Sequence, residues 1–123
     1  MTTVVYRGDT VPWTYQLTKT VNDVTTNYAI PVDATIKAAI RDKDGDLVAG
    51  PWDCEPDGSV EIFGTTFDAD WDTGYVVGEI TDTQDSTPTT GCRLEIEVTN
   101  VDGEHLTWVS AQSFAFKADS IID

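Results

Sequence analysis

Apolar and polar positions alternate with a period of two along most of this chain, and no ten-residue stretch repeats at the helical period of 3.6. Cys92, Leu94, Ile96 and Val98 alternate with Arg93, Glu95 and Glu97, which gives one buried and one wet face and predicts an antiparallel strand there. Ala34, Ile36, Ala38 and Ile40 alternate in the same way with Thr35, Lys37, Ala39 and Arg41. The run Lys43-Asp44-Gly45-Asp46 then turns the chain into Leu47-Val48-Ala49, a hairpin signal. Val11, Trp13, Tyr15 and Leu17 form a third run, and Pro12 places it at a sheet edge or marks its first residue. Ser59 to Phe63, Gly74 to Thr81 and Leu106 to Phe116 read as further strands. In the last of these the apolar phase slips between Leu106/Trp108 and Phe114/Phe116, so a β-bulge or bend is expected near Val109 to Ala111. A helical turn is expected only over Asp82 to Thr87, stopped by Pro88. Together these elements predict an all-β fold, an antiparallel β-sandwich of about seven strands.

Length and charge narrow the picture. The 123 residues fit one domain over 1–123, large enough to bury a core without an obligatory disulfide, zinc ion or cofactor. With 22 Asp and Glu against 7 Lys and Arg, the formal net charge is -15. A nucleic-acid backbone or an anionic membrane repels such a chain, so neither is expected as a partner. No basic segment followed by a long apolar run occurs, so the protein is expected to be made in a cytoplasm. Cys54 and Cys92 lack the CxxC spacing of a zinc or redox site. They are the candidate disulfide pair, although a cytoplasmic origin favours two free thiols.

Candidate chemistry is sparse. The single histidine, His105, follows the Asp102-Gly103 turn and reads as a solvated side chain. Neither Cys54 nor any serine sits in a recognisable nucleophile motif. Carboxylates are plentiful, but glycoside hydrolysis needs two of them facing each other across an aromatic-lined cleft, which short loops seldom build. No catalytic residue and no cofactor are assigned, and the chain is not expected to be an enzyme. Asp68, Asp70 and Asp72, with Gly74 and Glu79, approach the spacing of a calcium loop. Thr73 stands where that loop needs glycine, so these four carboxylates remain calcium candidates beside the plainer reading of solvated turn residues. Asp42, Asp44 and Asp46 fit a hairpin turn better than an ion site, and Arg7-Gly8-Asp9 reads as a turn before a strand. Of four tryptophans, Trp13 and Trp108 lie on strands and are expected in the core. Trp52 and Trp71 fall in expected loops among acidic residues, where tryptophan serves as an interface anchor or a platform for sugar rings. The apolar pair Ile121 and Ile122 near the C-terminus joins them as interface candidates.

Several stretches resemble one known family. Tyr6-Arg7-Gly8-Asp9-Thr10 opens a strand, Ile30-Pro31-Val32-Asp33 precedes Ala34-Thr35-Ile36, and Ile40-Arg41-Asp42-Lys43-Asp44-Gly45 follows. Thr73-Gly74-Tyr75 through Ile80-Thr81-Asp82, then Gly91, Arg93 to Thr99, Asp102-Gly103 and Phe114-Ala115-Phe116 continue in the same order. This series is similar to the immunoglobulin-like domain of tailed-bacteriophage upper baseplate proteins and related small phage virion structural proteins. The resemblance implies an immunoglobulin-like sandwich and an attachment module, docked in multiple symmetric copies on the tail, baseplate or neck, with a fibre adaptor as one form of that role. Its implied partners are other virion proteins and copies of itself, and its implied location is the virion. A capsid decoration (cement) protein on the head lattice fits the compact acidic composition almost as well, and a carbohydrate-binding module built on the tryptophans is the alternative from another class. Two segments depart from the family pattern, Val21 to Tyr28 and Gly50 to Asp57, and are expected to carry contacts of this protein's own.

Overall fold

A computed structural model describes residues 2–81, 83 and 88–117. Among the described residues the chain forms eleven strands and one 3-10 turn, so the all-β expectation holds. The strands are β1 (Thr2–Tyr6), β2 (Val11–Gln16), β3 (Thr18–Val21), β4 (Val24–Asn27), β5 (Thr35–Arg41) and β6 (Leu47–Cys54). They continue with β7 (Ser59–Ile62), β8 (Thr65–Asp68), β9 (Tyr75–Ile80), β10 (Thr89–Thr99) and β11 (His105–Lys117), the 3-10 turn Trp71–Thr73 lying before β9. The number exceeds the seven read from the sequence because β1, β3, β4 and β8 are short, and β3, β4 and β8 mostly exposed, leaving too few buried positions for alternation to register.

Five strands make one sheet in the order β1-β11-β10-β5-β6, and β2 pairs with β9 separately. Pairing is antiparallel throughout except between β1 and β11, which run parallel. The two groups share one core. Val5, Ile36, Ile40, Ala49, Leu94, Ile96, Val98, Phe114 and Phe116 of the five-stranded sheet cluster with Trp13 of β2 and Val76 and Ile80 of β9. Each large aliphatic or aromatic side chain removed from water in this way contributes about 1.5–3 kcal/mol.

β10 places Cys92, Leu94, Ile96 and Val98 inside, as its alternation requires. Along β5, Ala39 was expected on the wet face but is buried, beside Arg41, Pro51 and Glu95 on the outer side of the sheet. The bulge in β11 falls where the phase slips. Arg93 faces Ser113 while Glu95 faces Val109, so residues 110–112 of β11 stand opposite Leu94 alone. The hairpin turn before β6 is closed by Asp42, whose Oδ1 accepts the Asp44 and Asp46 amides, both at 2.9 Å. Among the described residues β2 pairs with β9 alone, so Pro12 lies on an edge strand. The helical turn expected over Asp82 to Thr87 lies outside the described residues except for Thr83, which is buried and whose Oγ1 accepts the Gly8 amide at 2.7 Å.

Candidate interaction surface

Two hairpins pair with neither sheet among the described residues. Among the described residues β3 and β4 pair only with each other, and no residue from Lys19 to Asn27 is buried or half-buried. Their two-residue turn, Asn22-Asp23, has φ 51 and 64, the left-handed pair that a tight hairpin turn demands and that Asn and Asp tolerate. Val21 and Val24 face each other across it and are each 60% exposed.

The base of this arm is fixed, although its tip has no cover among the described residues. Trp108 Nε1 donates to the Thr18 carbonyl at 2.8 Å, and the Trp108 ring lies 5.0 Å from the Tyr28 ring. The Tyr28 amide donates to the Leu17 carbonyl, and the Leu17 amide donates to the Gly74 carbonyl. Gly74 has φ 80, and a Cβ there would stand 2.3 Å from the Tyr28 carbonyl oxygen. No other residue satisfies both the backbone angle and the close approach, so this glycine sets the direction in which the arm leaves the body.

The second hairpin, β7–β8, lies beside β2 and β9 and buries Val60. Its turn residue Phe63 is wholly exposed. Between β6 and this hairpin lies a shallow cleft of about 260 Å³ lined by Trp52, Glu55, Ser59, Val77 and Glu79, smaller than the roughly 300–1,000 Å³ of ordinary small-molecule pockets.

The residues singled out from the sequence fall differently from expectation in several places. Trp52 lies on β6 and not in a loop, half-buried against the core opposite Ala38. Trp71 is corrected from interface candidate to core residue. It is 7% exposed, because the 3-10 turn folds its ring inward, and its carbonyl accepts the Ile30 and Gly74 amides. Ile121 and Ile122 lie outside the described residues. Cys54 and Cys92 are both buried and both free, Cys54 ending β6 opposite Ile36 and Cys92 on β10 opposite Phe114, so the candidate disulfide is not formed. Burial, with smaller effects from Asp53 and Glu55, pushes the Cys54 thiol up to about 12, and burial raises the Cys92 thiol as well.

The calcium candidates do not converge. Asp68 ends β8, Asp70 bridges to Tyr75, Asp72 is exposed in the 3-10 turn, and Glu79 is exposed on β9 opposite Pro12. Among the described residues no three His, Cys, Asp or Glu side chains group as a metal ion would require. Arg7-Gly8-Asp9 forms a turn in which the Asp9 amide donates to the Tyr6 carbonyl and Asp9 Oδ2 accepts the Tyr6 amide. His105 is exposed at the start of β11, with Nδ1 2.9 Å from Thr99 Oγ1 and 3.6 Å from Glu97. Neither the arm nor the exposure of Phe63 follows from the alternation of apolar and polar residues. In the sequence Val21 to Tyr28 is marked only by its departure from the family pattern, and the Asn22-Asp23 dipeptide between two valines is the signal that points to the hairpin. No protein-family model matches this chain, and no curated protein matches it.

Proposed function

We propose that this chain is an immunoglobulin-like sandwich serving as a structural interaction module of a phage virion, docked in multiple copies on the tail, baseplate or neck. The observation that carries the reading is the β3–β4 arm, exposed along both strands and anchored at its base. A two-stranded ribbon of this length is marginal on its own and its ordering costs conformational entropy, while it buries almost nothing of its own chain. Docking on a neighbouring subunit supplies the missing burial, and the Val21–Val24 tip is the part that enters it.

The order β11-β10-β5-β6 with β2-β9 opposite is in keeping with the sheet orders of variable-type immunoglobulin sandwiches, in which two further strands extend the three-stranded sheet and of which β6 would be the first. Together with β1 these are seven strands, leaving β3–β4 and β7–β8 as additions to the frame. The cysteine pair joining the sheets of antibody domains has no counterpart, since β2 holds no cysteine.

The virion setting rests on the sequence resemblance. A net charge of -15 keeps many copies soluble before they assemble. A cement role on the head lattice would use the same arm. The sugar-binding alternative is weakened by the burial of Trp71, which leaves Trp52 alone as a platform. Immunogold labelling of particles from the source lysate tests the reading. Label on the tail or baseplate is the expected result, label on the head selects the cement role, and absence from every particle overturns the virion assignment.

A further inference from the structure

We propose that the β7–β8 hairpin is a second docking element anchored by Phe63, and that it fits an apolar pocket rimmed by lysine and arginine on a different protein. The proposal rests on the chain being an interaction module and not on the partner being a virion component. Ile62 pairs with Thr65, so Phe63-Gly64 is a two-residue turn, with φ 51 and 82. Both values are positive, as in the Asn22-Asp23 turn of β3–β4. There the chain uses residues suited to the left-handed region, whereas at Phe63 it places a bulky ring that this region disfavours. The ring is 103% exposed, so no packing within the described residues offsets either the backbone strain or the exposed apolar surface. Backbone strain of this kind clusters at functional sites, and an aromatic side chain at a protruding tip suits the buried centre of an interface.

Charge selects the partner. Between Lys43 and Arg93 the sequence contains no Lys, Arg or His, while Glu55, Asp57, Glu61 and Asp68 sit on or beside the hairpin. A partner surface therefore gains from cations around the pocket that receives the ring. A second copy is disfavoured, because each copy carries -15 and two of its cations are already matched, Lys37 by Asp53 at 2.6 Å and Arg41 by Glu95 at 3.4 Å.

Replacing Phe63 with the photo-cross-linking residue p-benzoylphenylalanine in the full chain, expressed where its partners are present, tests the idea directly. The same substitution at Val32, 89% exposed in another loop, is the control. The expected result is a cross-link from position 63 to one other protein, at a peptide where apolar residues alternate with Lys or Arg. No cross-link at 63, a cross-link to a second copy, or a mapped peptide without cations overturns the proposal. If the mapped protein is not a virion component, the virion assignment fails and this inference stands. If particles carry the protein but position 63 stays silent, the reverse holds. Phe63→Asn keeps the turn and removes the anchor. Its melting midpoint should equal or exceed the parent's, while co-purification with the mapped partner should fall at least about tenfold. A lowered midpoint, or unchanged co-purification, would show that Phe63 is no anchor.

Discussion

Burial holds the Cys54 thiol neutral well past the pH at which an exposed cysteine ionises, with a folded pKa of about 12 against an ordinary 9.0. Because the folded value is the higher one, the thiol's contribution to stability is whole below the unfolded pKa and shrinks as pH rises towards the folded one. Across that window the unfolded chain can ionise Cys54 and the folded chain cannot. The parent should lose stability above pH 9 with a slope of up to about 1.4 kcal/mol per pH unit from this group. Urea unfolding of Cys54→Val over the same range should show a shallower decline. Trp71 offers a second test at this scale. Its ring is buried but its Nε1 has no hydrogen-bond partner among the described residues, so the side chain contributes through packing. Trp71→Ala should cost about 3–5 kcal/mol, and Trp71→Phe only about 1 kcal/mol, since the lost N–H leaves no acceptor stranded. Denaturant midpoints decide this, and an unaltered midpoint for the alanine variant would return Trp71 to the surface.

The elements divide into a frame and two additions. Strand β10 was legible residue by residue and β5 at every position but Ala39, because one face of each meets the core and the other is largely wet. The bulge of β11 was legible to within about a residue, since inserting residues is the way a strand changes phase without leaving its sheet. The arm was not legible, because a ribbon exposed on both faces writes no alternation into its sequence. It should also be dispensable to folding. Replacing residues 19–26 with Asn-Gly keeps Thr18, whose carbonyl accepts the Trp108 indole, and should move the melting midpoint by no more than about 4 °C. The same variant should lose its place in the assembly, which separates an arm used for docking from one needed by the fold.

For the whole molecule, charge is the property that composition alone supplies. At -15 the folded chain repels itself, so raising sodium chloride from about 0.02 M to about 0.5 M should stabilise it by on the order of 1 kcal/mol, read as a higher melting midpoint. The same screening should weaken docking through the acidic side, so stability and association move in opposite directions with salt. The sequence by itself determined that the chain is all-β, which strands carry the core and where the last strand slips, because those properties follow from period-two burial along a local segment. The tertiary structure decided the rest. It turned Trp71 inward, kept Cys54 and Cys92 as separate thiols, spread Asp68, Asp70, Asp72 and Glu79 apart, and left Phe63 alone on a turn. Each of these depends on which distant segments meet, and a residue's type and sequence neighbours do not specify what covers it once the chain has closed on itself.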